Sequence, residues 1–264
     1  MPTKNRHLLL AGALAVVLAI PLLSQRFRGR FEEEHEPPPA DGNEETEYYF
    51  VRLAYQSGGG AGWRRGRSWM TDSPAAERHF LQGVRRLTTI HARSLEKYIR
   101  PLDAELFDHP WVYAVEVGHW YLDQQEAARM REYLQRGGFL VVDDFHGTYE
   151  WEVFLDSIQR VFPDRPIVEL DDSDAVFHTL YDIPERVQVP GIHIKWSGRT
   201  FEKDGVTPHW RGIYDEKGRL MVVINFNMDL GDAWEWADDP EYPERFTALA
   251  YRFGINYIVY SMTH

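Results

Sequence analysis

Apolar and polar residues alternate with changing period along the chain, and each change marks an expected element. Residues 48–55 (YYFVRLAY) form a largely apolar run of strand length, followed by a loop rich in Gly, Trp and Arg. Ser73 is placed as the cap of a helix with Pro74 at its first position, and Phe80, Leu81, Val84 and Leu87 supply its apolar stripe. Residues 111–117 (WVYAVEV) predict a second buried strand. The clearest helix opens at Asp123, which forms a capping-box pattern with Glu126 while Leu122 staples onto Ala127. Met130, Tyr133 and Leu134 continue its buried face, and Gly137-Gly138 ends it. Residues 139–143 (FLVVD) follow at once as a third buried strand.

A helix over roughly 150–161 stops before Pro163. Residues 182–210, rich in Pro, Gly and His, read as a long excursion or lid. Residues 211–226 (RGIYDEKGRLMVVINF) have the pattern of a hairpin turning at 216–218. A last amphipathic helix starts near Pro243 and runs through Phe246, Leu249, Ala250 and Phe253; residues 256–260 either extend it or form a short strand. Strands and helices in this order, with the strands buried, predict a three-layer α/β fold with a mostly parallel sheet and an added hairpin.

The N-terminus departs from this pattern. Lys4 and Arg6 precede an unbroken apolar run over residues 8–23. Sixteen residues at ~1.5 Å rise span roughly 24 Å, a little short of a ~30 Å hydrocarbon core. A basic start before such a run predicts export, either as an uncleaved signal anchor or as a cleaved signal peptide. Leu22 and Ser24 make a poor cleavage pattern before Gln25 and favour the anchor. Arg26, Arg28 and Arg30 lie beyond the run and oppose the positive-inside bias. The expected organisation is a signal segment over 1–31, an acidic tether over 32–47 that cannot repay ordering entropy, and an α/β domain over 48–264. This places a single span in the cell membrane with the domain extracytoplasmic, or a secreted domain if the signal is cleaved.

Charge and composition narrow the chemistry. The net charge is −12 over 264 residues, with five basic and no acidic residues in 1–31 and eight acidic and no basic residues in 32–47. An acidic body with no basic stripe argues against nucleic acid as a partner. The absence of cysteine excludes disulfides, cysteine-ligated zinc and a thiol nucleophile.

Four strings occur together: RLAYQSGGGAGW at 52–63, VGHWYLDQQEAARMREYLQRGGFLVVDDFHG at 117–147, VFPDRPIVELDDSDAVFHTLYDIP at 161–184 and NMDLGDAWE at 227–235. On these the chain resembles the bacterial family called domain of unknown function 4159, over most of residues 48–260. The resemblance implies a flavodoxin-like sheet related to class I glutamine amidotransferase and trehalose-utilisation-type domains. It also implies export or fusion to membrane proteins with von Willebrand A domains, and no established activity. Amidotransferases carry a nucleophilic Cys on the turn after a buried strand. The equivalent stretch here is Asp143-Asp144-Phe145-His146, so thiolate hydrolysis of glutamine is excluded.

In open α/β sheets ligands sit beyond the carboxyl ends of the strands. Asp143, Asp144 and His146 arrive there, with His119 expected from a neighbouring strand. Two carboxylates with one or two imidazoles suit a divalent metal, with Asp143 and His146 as candidate ligands, or a general acid–base pair. The alternative is a set of polar groups that shape a loop. His178 follows Asp171, Asp172 and Asp174 without the spacing of a Ca²⁺ loop, and is a candidate for facing the cleft. The glycines at 58–62 satisfy neither the dinucleotide nor the Walker pattern, but Arg65 and its neighbours suit an anion. Trp63, Trp69, Trp120, Trp234 and Trp236 fall in expected loops. With Asp229, Asp232 and other polar groups they suit stacking on a glycan; plugging the ends of the sheet is the alternative. Two functions remain: a non-catalytic domain that binds a glycan or an envelope protein, and a metal-dependent hydrolase using Asp143, Asp144, His146 and His119.

Overall fold

WVYAV and FLVVD are neighbouring central strands of one sheet, paired in parallel with Trp111 opposite Phe139 and Val115 opposite Asp143. The computed structural model describes residues 44–58 and 68–264, together with Pro39 and Gly42. The apolar segment at 8–23, most of the tether, Trp63 and Arg65 lie outside the described residues. Among the described residues no helix is long and apolar enough to cross a membrane.

The elements in chain order are β1 (Val51–Leu53), β2 (Gln56–Ser57), α1 (Ala75–Leu87), β3 (Lys97–Ile99), β4 (Trp111–Val115), β5 (Trp120–Tyr121), α2 (Gln124–Gln135), β6 (Phe139–Asp143), α3 (Gly147–Val161), β7 (Val168–Glu169), α4 (Ile194–Ser197), β8 (His209–Tyr214), β9 (Leu220–Phe226), α5 (Leu230–Glu235) and α6 (Glu244–Thr263). Seven strands make the main sheet in the order β3-β1-β4-β6-β9-β8-β7. From β3 to β9 the neighbours are parallel, while β8 returns antiparallel beside β9 and β7 pairs antiparallel to β8. This is the expected three-layer flavodoxin-like α/β arrangement with its hairpin. β2 and β5 form a separate antiparallel pair.

Strand alternation divides the interior into two cores. Trp111, Tyr113, Val115, Phe139 and Val141 face a layer made by α1 and α6, through residues such as Phe80, Val84, Phe253 and Tyr257. Val112, Ala114, Leu140 and Val142 face α2 and α3, through Met130, Leu134, Phe154 and Ile158. Both faces of the sheet are therefore covered. The polar side chains of the strand ends converge on the carboxyl edge.

The α2 capping box forms as read: Asp123 Oδ1 accepts from the N–H groups of Gln125 and Glu126, and Glu126 Oε2 accepts from Asp123 N–H. Two expectations are corrected, and one open alternative is decided. Ser73 does not cap α1; Pro74 holds the N-cap position, and the Ser73 hydroxyl pairs with the Tyr98 hydroxyl at 2.7 Å. Residues 256–260 continue α6, whose buried face extends through Ile258 and Tyr260. The loop placement of two tryptophans also fails: Trp120 starts β5 and Trp234 lies within α5, both buried.

Candidate functional site

The carboxyl ends of β4, β6 and β9 deliver Glu116, Asp143-Asp144 and Asn227–Asp229 to one edge. The loop before α1 adds Asp72, and α5 adds Asp232 and Glu235. Ligand atoms of Asp72, Asp144 and Asp229 lie within 4.8 Å of one another, and those of Asp72, Asp232 and Glu235 do the same. Asp72 belongs to both sets, although sequence reading passed over it. It is far from the others in the chain, and nothing local marks it.

Arg52 explains how Asp72 gets there. This residue of β1 is fully buried and ion-paired with Glu77 of α1. Its Nη1 donates to the Trp69 carbonyl at 3.0 Å and the Thr71 carbonyl at 2.7 Å, which fixes the segment ahead of Asp72. On the other side, Asp229 caps α5 by accepting from Asp232 N–H at 2.7 Å. Asp232 in turn accepts from Ile192 N–H at 2.6 Å and Trp236 Nε1–H at 3.1 Å.

Glycines make room for the carboxylates. A Cβ on Gly231 would collide with Asp72 Oδ2 and stand 3.0 Å from the Tyr113 hydroxyl and 3.4 Å from Asp229 Oδ1. A Cβ on Gly191 would stand 2.8, 2.9 and 3.1 Å from Asp232 Oδ2, Asp229 Oδ2 and Glu202 Oε1.

Asp143 occupies the floor. Its Oδ2 accepts from the Tyr113 hydroxyl at 2.8 Å and from the N–H groups of Leu230 and Gly231 at 2.8 and 3.1 Å. Its Oδ1 is buried and has no hydrogen-bond partner among the described residues. His146 Nε2 lies 3.1 Å from Asp144 Oδ1, and its buried Nδ1 likewise lacks a partner. Of the sequence candidates, Asp144 joins the carboxylate set, while Asp143 and His146 lie beside it.

The electrostatics are mostly one-sided, with Arg52 the cation that acts on Asp72 and lowers it. No Lys or Arg among the described residues forms an ion pair with Asp72, Asp143, Asp144, Asp229, Asp232 or Glu235. Burial, with neighbouring carboxylates adding to it, raises Asp72, Asp144 and Asp229 well above the usual range. Burial pushes Asp143 up to about 7, against the lowering effect of its three hydrogen bonds. Glu235 is raised to about 7 by burial and by Asp232. Burial lowers His146, which favours the neutral imidazole. Such a pocket is relieved either by taking up protons or by holding a cation.

Backbone strain gathers at the same edge. Among the described residues, the non-glycine ones with left-handed backbone are Asp72, Glu116, Asp144, Lys203 and Asn227, with φ between 51° and 64°. Such conformations cost about 1 kcal/mol or more each and persist where surrounding structure dictates them.

A second cluster adjoins the first. His119 Nε2 lies 3.4 Å from Glu116 Oε2 and 3.3 Å from Glu150 Oε1, and Lys203 pairs with Glu150. Burial and the Asp144 charge raise Glu116 to about 8. Burial acts to raise Glu150 too, but hydrogen bonds from His119, Lys203 and the His146 N–H hold it at about 2. Neither glutamate was singled out from sequence; an acid directly after an apolar strand, as in WVYAVE, was the available signal for Glu116. Lys203 comes from the 182–210 excursion, where Asp204 also accepts from Thr148 N–H at 3.0 Å and ties the segment to the start of α3.

The remaining sequence candidates fall elsewhere. His178 is exposed, with Nδ1 on Asp182 and Nε2 2.8 Å from the Asp172 carbonyl. Trp120 stacks on Phe154 at 5.4 Å, and Trp234 packs against Phe80 at 4.4 Å; neither offers an open ring face to a sugar.

The sequence profile of the family described as Domain of unknown function (DUF4159) matches residues 49–262. Comparison with curated proteins gives no match.

Proposed function

The chain belongs to the family described as Domain of unknown function (DUF4159), and from that premise we propose that its α/β domain holds a hard divalent cation in the carboxylate pocket and uses it for metal-assisted hydrolysis. The observation that carries this reading is the convergence of Asp72, Asp144 and Asp229, the last two buried and Asp72 partly so, with no Lys or Arg ion pair to any of them among the described residues. The partnerless Oδ1 of Asp143 beside them adds a second, independent sign of a missing polar partner. Oxygen-only donors suit Mg²⁺, Mn²⁺ or Ca²⁺.

In this reading Asp72, Asp144 and Asp229 would hold the cation, which would supply Lewis acidity towards a carbonyl or phosphoryl oxygen and towards water. Asp143 would serve as the proton acceptor, since its Oδ1 has no partner among the described residues and its Oδ2 is already held. The apolar segment at 8–23 supplies export or a membrane anchor, so the pocket faces the extracytoplasmic side. A non-catalytic domain that binds a glycan or envelope protein would keep the cation and lack turnover.

The test is turnover of a panel of nitrophenyl esters and phosphoesters by the full chain in mild detergent, with and without Mn²⁺. Metal-dependent release of nitrophenol that Asp143→Asn abolishes supports hydrolysis. Cation binding without turnover of any substrate favours the binding domain.

A further inference from the structure

We propose that Glu116, His119 and Glu150 form a second cation site, suited to a borderline ion such as Zn²⁺ or Co²⁺ and closed in the metal-free state by the Lys203 ammonium. It is separate from the carboxylate pocket and does not rest on that pocket being filled.

The donor set comes from how two strands end. After β4 the chain turns left-handed at Glu116 (φ 53°) and makes one 3-10 turn over Val117–His119. Residues 116 and 119 therefore present their side chains together, with His119 Nε2 3.4 Å from Glu116 Oε2. After β6, the first turn of α3 brings Glu150 Oε1 to 3.3 Å from the same nitrogen. One imidazole and two carboxylates then have donor atoms within 4.8 Å of one another. An imidazole nitrogen distinguishes this set from the oxygen-only pocket and favours a borderline ion.

The donors are held in place before any ion arrives. Glu150 Oε2 accepts from His146 N–H at 2.6 Å, which orients the carboxylate and leaves Oε1 for the site. The Tyr55 hydroxyl lies 2.8 Å from the Glu116 carbonyl and steadies the turn. Gly118 permits the turn to lie against α3, since a Cβ there would collide with the Glu150 side chain. His119 is half-exposed, which gives an ion a route from solvent.

Lys203 shows that the site already attracts a cation. Its ammonium pairs with Glu150 Oε1, the oxygen that faces His119. The lysine side chain is half-exposed and flexible, a hydrated point charge that a coordinating ion can displace. Because Lys203 belongs to the 182–210 excursion, its displacement would also release one of the ties that hold that segment to α3.

The test is titration of the full chain with Co²⁺ in excess Mg²⁺, read by visible absorption and calorimetry. The expected result is one Co²⁺ bound with a ligand-field band that His119→Ala abolishes. Lys203→Met should bind Co²⁺ roughly tenfold more tightly, the scale of losing one competing charge pair. Lys203→Arg, which keeps the charge, should not. Asp229→Asn, which alters only the carboxylate pocket, should leave the band in place, so loss of Mg²⁺ binding there is read separately. An unchanged band in His119→Ala overturns the site, and an unchanged affinity in Lys203→Met overturns its closure by lysine.

Discussion

The Tyr113 hydroxyl donates to Asp143 Oδ2 at 2.8 Å, while the other oxygen of that carboxylate is buried without a partner among the described residues. Half of the carboxylate is thus fixed by the fold and half is left for something else. Tyr113→Phe removes the fixed contact and keeps the ring. It should cost about 1–3 kcal/mol in chemical denaturation, the range for a hydrogen bond to a buried charged group. It should also raise the Asp143 carboxyl further above about 7, because the hydroxyl lowers it. Carbon-detected NMR titration of the Asp143 carboxyl checks the direction.

Stability of the cation-free domain should fall as the pH rises. Asp143 and Glu235 are raised to about 7 and Glu116 to about 8, with Asp72, Asp144 and Asp229 also raised. The folded state then keeps protons that the unfolded chain gives up near pH 4, so this stability is full below that value and is lost through pH 7–8. Glu150, held at about 2, acts oppositely and only in acid below its ordinary value. Thermal unfolding in EDTA should give a Tm several degrees higher at pH 5.5 than at pH 8.5. Saturating Mg²⁺ should narrow the gap, since a cation replaces the protons.

Gly231→Ala tests the room around Asp72. The residue lies within α5, where alanine is a good helix former, so the fold should survive. The added methyl would collide with Asp72 Oδ2 and push that carboxylate aside. Mg²⁺ affinity should fall by about tenfold or more, equal to roughly 1.4 kcal/mol. Calorimetry together with an unchanged circular dichroism spectrum checks it.

Arg52 separates stability from positioning. Arg52→Met leaves Glu77 buried and unpaired, which should cost about 3–5 kcal/mol. The double change Arg52→Met/Glu77→Leu should recover much of this, because neither charge remains buried. Cation affinity should stay low in the double variant, since the carbonyls of Trp69 and Thr71 have lost the donor that fixes the segment before Asp72.

The layers of the fold were legible because period and burial go together: FLVVD, the Asp123 capping box and the 211–226 hairpin all form where the pattern placed them. Ser73 misled because a cap needs the right backbone as well as the right side chain, and Tyr98 takes its hydroxyl. The short strands β3 and β7, of three and two residues, carry too little pattern to be seen. The acidic pair after β6 was visible as candidate chemistry. Its partner Asp72, and the Glu116 and Glu150 of the neighbouring cluster, were not, because only the fold brings each set together.

Calorimetric titration of the full chain with Mg²⁺ at pH 7, in buffers of different ionisation enthalpy, tests the carboxylate pocket most directly. Stoichiometric binding with net release of protons, lost in an Asp144→Asn/Asp229→Asn variant that still folds, is the predicted result. Absence of binding by Mg²⁺, Mn²⁺ and Ca²⁺, or equal binding by that variant, would contradict it.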